Sequence, residues 1–264
     1  MKNVTFLELG LSNTTYLENG LFCKKSNFIV DDFLIRKNEA QVLKEISQIS
    51  NDFLIKPVKF GFKNGLFISS YEYFPESPTL ENLIINNEII SQIAMAIKSI
   101  HSINIENSKI KKFNFKKILD FFETQTQEII FDLSEFRDRI ITFLQNNKIQ
   151  NYSLCHNDLV PGNFLFTTLG LKIIDYDFMH LNDPLFDLAS FVSETLKEEP
   201  TNTRFFLKQF DLRIEEFKKI TNYIFYQNYL WCYWGMYMFQ RTKLQIYKNI
   251  AEEKFQQLKN TKFF

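Results

Sequence analysis

The sequence is poor in the residues that punctuate a chain. Of its 264 residues only seven are glycine and six are proline, which excludes collagen-like repeats and Pro/Gly-rich disorder. Neither sign of charge is in excess: Lys and Arg total 31, as do Asp and Glu. Binders of nucleic acid or anionic membrane carry a basic surplus, so neither partner is expected. Cysteine is scarce too. Cys23, Cys155 and Cys232 lie far apart, form no CxxC pair and cannot all pair within one chain, which argues for a reducing compartment. The opening residues Met1-Lys2-Asn3-Val4-Thr5-Phe6-Leu7-Glu8 lack the apolar core and small-residue cleavage site of a signal peptide, so the expected location is cytoplasmic.

One segment lacks charge altogether. Residues 222–240 contain no Asp, Glu, Lys or Arg, a length that could cross a bilayer. They do contain Gln227, Asn228 and tyrosines through their centre, whereas aromatic residues of membrane helices collect at the edges. The segment reads as a buried, aromatic-rich helix.

What the sequence has in quantity is apolar side chains, 45% of the total, enough to fill a two-lobed domain or two small ones. Phe, Ile, Lys and Asn are heavily used, a bias that an AT-rich genome produces and that carries no functional message. Residues 1–75 read as short strands with turns. Asn19-Gly20 and Asn64-Gly65 are hairpin signals between apolar runs, and residues 38–46 have helical composition with Val42, Leu43 and Ile46 on one side. After Pro75 and Pro78 the periodicity becomes helical, with Ile89, Ile93, Ala96, Ile97 and Ile100 forming a stripe. A compact β segment, 154–175, interrupts the helices, and from about residue 194 the pattern is helical to the end. The expected fold class is α+β: a small β-rich lobe over 1–75 and a larger, mainly helical lobe over 76–264.

The chemistry concentrates in Cys155-His156-Asn157-Asp158-Leu159-Val160-Pro161-Gly162-Asn163, followed by Ile173-Ile174-Asp175-Tyr176-Asp177. Phosphoryl transfer from ATP needs a carboxylate near the acceptor hydroxyl and oxygen ligands that hold Mg²⁺ against the phosphates. An Asp followed five residues later by Asn puts both side chains around one tight loop. A second Asp beyond a short strand adds a hard oxygen donor. Asp158 and Asn163 taken alone could be turn caps, but the joint pattern is far rarer than either half.

These motifs resemble the choline/ethanolamine kinase family, within the aminoglycoside phosphotransferase superfamily of protein-kinase-like fold. The resemblance implies ATP and Mg²⁺ as cofactors, with Asp158 as catalytic base or orienting group, Asn163 and Asp175 as metal ligands, and His156 and Asp187 as supports of the loop. It implies Lys24, with Lys25 the competing choice, as the strand cation that Glu39 fixes. It also implies Gly10-Leu11-Ser12-Asn13-Thr14-Thr15-Tyr16 as the phosphate loop, with Ser12, Asn13 and Thr14 as ATP-binding members, and an adenine hinge near Glu72 and Tyr73.

For the acceptor, Trp231 and Trp234 are three residues apart, on one face of a helix, and indole faces attract a quaternary ammonium that cannot donate hydrogen bonds. A core helix is the bland alternative. The resemblance makes the Trp pair a choline pocket, with Glu194 supplying negative charge and Tyr176 nearby. It departs from the family at Ile250-Ala251, where the family often has Tyr-Ala; Tyr247, Tyr237 or Tyr233 could stand in. Ethanolamine, thiamine or an aminoglycoside remain alternative acceptors. A non-catalytic, pseudokinase-like module is a third reading, against which the presence of Asp158, Asn163 and Asp175 argues.

Overall fold

The computed structural model describes residues 4–7 and 13–261, and the chain within it forms two compact units. The first gathers residues 1–112 and 153–181, and the second gathers residues 113–152 and 182–264. The segment that carries the catalytic-loop motif thus packs with the N-terminal sheet, although by chain order it follows two further helices.

The first unit is built on an antiparallel sheet of β1 (Val4–Leu7), β2 (Thr14–Glu18), β3 (Leu21–Lys25), β4 (Lys59–Lys63) and β5 (Leu66–Glu72), in the order β1-β2-β3-β5-β4. Both Asn-Gly pairs make the hairpin turns their composition predicts. Asn19 and Gly20 adopt φ of 54° and 75°, and Asn64 and Gly65 adopt 52° and 80°, the doubled left-handed geometry whose twist matches the strands. A one-turn helix α1 (Phe28–Asp31), capped by Asn27, leads to α2 (Arg36–Ile46), and α3 (Asn87–His101) carries the isoleucine stripe. Val42, Leu43 and Ile46 from α2 are buried, as are Ile93, Ala96, Ile97 and Ile100 from α3, with Ile90 taking the place expected of Ile89, which is only partly covered. These are the positions at helical spacing.

Four short strands complete the unit: β6 (Ser153–Cys155), β7 (Phe164–Thr167), β8 (Gly170–Ile173) and β9 (His180–Asn182), at whose end the chain leaves it. β7 and β8 form the expected hairpin, with Phe164 opposite Ile173 and Leu165 opposite Lys172. Alternation along them buries Phe164 and Ile173 completely.

The second unit is helical: α4 (Phe115–Gln125), α5 (Ser134–Asn146), α6 (Pro184–Ser190), α7 (Pro200–Leu207), α8 (Ile214–Thr242) and α9 (Gln245–Asn260). The uncharged stretch forms the middle of α8, and no described helix is long and apolar enough to cross a membrane. Tyr223 and Tyr226 are core residues with satisfied hydroxyls: Tyr226 donates to the Phe115 carbonyl (2.6 Å) and Tyr223 to Asp183 (3.0 Å). Phe143 and Phe186 meet Tyr223 edge to face, and Phe115 stacks on it at 17° while meeting Tyr226 edge to face, arrangements that aromatic quadrupoles favour. Between α6 and α7 the chain makes a π-helical turn, Phe191–Thr195, closed by Leu196 N–H on the Phe191 carbonyl (2.9 Å). α8 and α9 approach closely at Gly235, where a Cβ would stand 2.8 Å from the Tyr247 carbonyl oxygen and 2.9 Å from Ala251.

Candidate functional site

In the first unit β3 presents its lysines alternately. Lys24, opposite Thr15 on β2 and Ser69 on β5, turns inward, while Lys25, opposite Thr14, is only partly covered. The Lys24 ammonium lies 2.6 Å from an Asp175 oxygen, hydrogen-bonds Asp177, and stands 3.6 Å from Glu39. Burial alone would strip its proton; Asp175, Asp177 and Glu39 reverse that and hold the amine charged well above the ordinary lysine range. Of the two candidate cations, Lys24 is the one among carboxylates.

Arg36, Asp177 and Asp31 are the members of this cluster that sequence reasoning did not assign. Arg36, at the start of α2 and 6% exposed, donates to Asp31 (2.6 Å), to Glu39 (2.7 Å) and to the Asn13 side chain (2.9 Å), with Asp177 at 3.1 Å. Asn13 in turn donates to Asp177 (2.8 Å). Burial raises the Asp177 carboxyl, but Lys24 and Arg36 outweigh it and leave Asp177 well below the usual carboxylate range. Burial and the facing Asp177 push Glu39 up to about 7, with Lys24 and Arg36 pulling the other way. The i,i+3 spacing of Arg36 and Glu39 and the doubled acid of Ile174-Asp175-Tyr176-Asp177 were the available signals.

The loop from β6 to β7 brings Asp158 and Asn163 together. The Asn163 amide nitrogen donates to the Asp158 carbonyl (2.8 Å) and stands 3.3 Å from its carboxylate. That orientation leaves the amide oxygen as an acceptor. Ile174 N–H donates to the Asn163 carbonyl (3.0 Å), and His156 Nε2 donates to the Ile174 carbonyl (2.9 Å). His156 therefore ties the loop to the residue beside Asp175. Asn157 and Asp175 adopt left-handed φ of 66° and 67°, uncommon for residues with a Cβ. Asn157 is held there by donating to the Cys155 and Phe178 carbonyls, so the backbone strain is carried by specific bonds.

Two cations, Lys24 and Arg36, thus face four carboxylates, Asp31, Glu39, Asp175 and Asp177. The surplus is negative, the Asp175 side chain remains 35% accessible, and the donors are amide and carboxylate oxygens. That donor set fits a hard divalent ion such as Mg²⁺.

The remaining expected residues fall as follows. Ser12, with Gly10 and Leu11 of the same loop, lies outside the described residues. Thr14 begins β2, and Glu72 ends β5 with Tyr73 just beyond it, 37% exposed. Tyr176 does not present an open wall to a ligand. It is buried in the first unit, where its hydroxyl accepts from Ile55 N–H (2.8 Å) and donates to the Ile173 carbonyl (3.0 Å). That geometry makes it a strut.

The second unit holds the other group. Trp231 and Trp234 share a face of α8, but their rings meet edge to face, 6.2 Å apart at 85°. Trp234 continues onto Tyr247 of α9 (5.5 Å, 77°). Tyr237 packs on Phe121 and Phe122, and Tyr233 on Tyr229, while Tyr247 is the stand-in whose ring meets Trp234. Asp187 is buried in α6. Glu194, delivered by the π-helical turn, does not offer a free charge: it is buried and takes the ammonium of the equally buried Lys254 at 2.6 Å. Lys254 was not anticipated. Its signal was a lysine on the apolar stripe of α9, in register with Tyr247, Ala251 and Leu258.

The choline/ethanolamine kinase family model matches residues 27–230. The protein LicA of Haemophilus influenzae is 27% identical over 192 residues, covering 65% of this chain and 68% of LicA. Choline kinase LicA from Streptococcus pneumoniae superposes with a TM-score of 0.78 at 19% identity, over 97% of this chain and 93% of that one. The GDP complex of aminoglycoside 2'-phosphotransferase-IIIa gives a TM-score of 0.70 at 16% identity, over 96% and 92%. The two structural likenesses establish a protein-kinase-like fold, and the extent of the family match establishes the rest: the chain belongs to the choline/ethanolamine kinase family, phosphotransferases with an alcohol group as acceptor.

Proposed function

We propose that this kinase transfers the γ-phosphoryl group of ATP to the hydroxyl of choline, giving phosphocholine and ADP. Asp158 acts on the acceptor hydroxyl, as base or as the group that orients it, while Asn163 and Asp175 hold Mg²⁺, which supplies counter-charge to the phosphates. Lys24, kept on station by Glu39, meets phosphate oxygens together with Asn13, Thr14 and Ser12; Glu72 and Tyr73 lie at the adenine hinge. His156 braces the loop through Ile174, and Asp187 is assigned with it to structural support. By chain order the lobes divide as 1–75 and 76–264. Three free, buried cysteines suit a cytoplasmic location.

The observation that carries the phosphoryl-transfer reading is the short path Asp158–Asn163–Ile174–Asp175, two hydrogen bonds long, which ends on the Lys24 ammonium. Choline as acceptor is supported by the ring series Trp231–Trp234–Tyr247, aromatic faces being the groups that recognise a methylated ammonium. A coupled ADP-release assay with ATP and Mg²⁺ should show choline as the best substrate among choline, ethanolamine, thiamine and aminoglycosides. Brisk turnover of one of the others without turnover of choline would remove the assignment.

A further inference from the structure

The second unit contains a cation of its own at the place where the acceptor's cation is expected. Tyr247, Ala251 and Lys254 follow one another along one face of α9. Tyr247 stacks edge-on with Trp234, and the Cys232 thiol donates to the Ala251 carbonyl (3.3 Å). Lys254 follows Ala251 by three residues on the same face of α9, so the Cys232–Ala251 contact sets it near the turn of α8 that bears Trp231; burial pushes the Cys232 thiol up to about 12, with Lys254 pulling the other way. From the other side Gln227, one turn before Trp231, accepts from Ser193, the neighbour of Glu194. The ammonium is fixed by Glu194 at 2.6 Å and by the Gln257 side-chain oxygen at 3.0 Å, and Gln257 donates to the Ser193 carbonyl.

A second carboxylate of this region, Glu198, accepts from Asn228 (3.3 Å). Burial raises its carboxyl, toward the neutral form. The Asn228 side-chain oxygen is buried without a partner, and it is a neutral acceptor. The negative charge that the family resemblance offered to the substrate is therefore already spent inside the protein.

We propose that Lys254 is a specificity-determining residue: by occupying Glu194 it leaves the acceptor pocket aromatic but without a free carboxylate, and so selects a quaternary over a primary ammonium. The inference rests on the reading that the indole pair receives the acceptor's cation. The two classes of cation ask for different things. A primary ammonium brings three N–H donors and loses their hydration on entry, so it needs anionic or several neutral acceptors in return. A quaternary ammonium has no donors and is satisfied by ring faces. With Lys254 in place only the second demand is met.

The test is the ratio of kcat/KM for ethanolamine to that for choline, in the wild type, in Lys254→Met, and in the double variant Glu194→Gln/Lys254→Met. Lys254→Met frees Glu194, and the ratio should rise at least tenfold, chiefly through the KM of ethanolamine. In the double variant neither charge remains, no buried ion is left unpaired, and the ratio should return to the wild-type side. If Lys254→Met fails to fold, the double variant decides: a strong preference for choline supports the inference, and a shift toward ethanolamine or a selective loss of choline binding overturns it. An unchanged ratio in a folded Lys254→Met overturns it too, while choline turnover by the wild type leaves the proposed function standing. A wild type that uses neither amine removes the proposed function itself and the inference with it.

Discussion

In the first unit Lys24 is shared among Asp175, Asp177 and Glu39, with Arg36 as a second cation bridging Glu39, Asp31 and Asn13. In the second, Lys254 is set on Glu194, with Gln257 completing its coordination. Both lysines are buried, but they serve different ends. A cluster with more carboxylates than cations can exchange partners, releasing one acid to an incoming ion while the rest keep the lysine charged. A one-to-one pair has nothing to exchange: removing either member leaves an uncompensated charge in low dielectric. Surplus negative charge suits a ligand cation that needs oxygen donors, and a closed pair leaves its carboxylate unavailable to a ligand's N–H groups.

The largest expected effect separates the chemistry from the electrostatics around it. Asp158→Ala should lower turnover by roughly 10²- to 10⁴-fold, with nucleotide affinity, followed by tryptophan-independent calorimetry, close to wild type. Unchanged turnover would detach Asp158 from the reaction.

Breaking the lysines themselves tests the contrast. Lys254→Met should cost about 3–5 kcal/mol, the usual result of orphaning a buried partner, read from the denaturation midpoint. Lys24→Met should cost less, because Arg36 still pairs with Glu39 and stands beside Asp177, while abolishing phosphoryl transfer. Equal losses of stability would erase the distinction between cluster and pair.

Gly235→Ala comes next. Its Cβ would overlap the Tyr247 carbonyl and Ala251, so α9 must shift, at about 1–3 kcal/mol for overpacking. Because Tyr247 moves with α9, the KM for choline should rise while kcat changes little. A stability loss without any change in KM would separate Tyr247 from the pocket.

A pH series sharpens the cluster further. Asp177 titrates below its unfolded value, so its ionised form stabilises the native state above the ordinary carboxylate range, and that contribution fades as pH falls toward the depressed value. The gap in stability between wild type and Asp177→Asn should therefore narrow as pH drops below about 4, the model-peptide value for Asp. A gap that stays constant or widens with acid would mean that the Asp177 charge is not what Lys24 and Arg36 stabilise. As the small end of the scale, Lys116→Ala breaks the exposed i,i+4 pair with Asp120 and should cost no more than about 0.5 kcal/mol.

Much of the scaffold was legible in the sequence because its signals are local. Asn19-Gly20 and Asn64-Gly65 specify turns through their own backbone preferences, and the isoleucine stripe specifies α3 through its period. The β7–β8 hairpin followed from two apolar runs separated by a turn. Asp158, Asn163 and Asp175 could be singled out because one loop and its neighbouring strand carry them within twenty residues of each other. Arg36 was passed over because its meaning depends on Asp177, more than a hundred residues away in sequence.

The sequence by itself thus determined the class of chemistry, a kinase loop on an α+β chain, and the presence of an indole pair on one helix face. Only the tertiary structure decided between Lys24 and Lys25, which strand alternation leaves open until one side of β3 is known to be the inside. It alone brought the Tyr247 ring against Trp234. It alone showed that the Glu194 charge is taken by Lys254. The physical reason is common to all three: a backbone preference is a property of a few adjacent residues, whereas the state of a buried charge is a property of whatever the fold brings within a few ångströms of it.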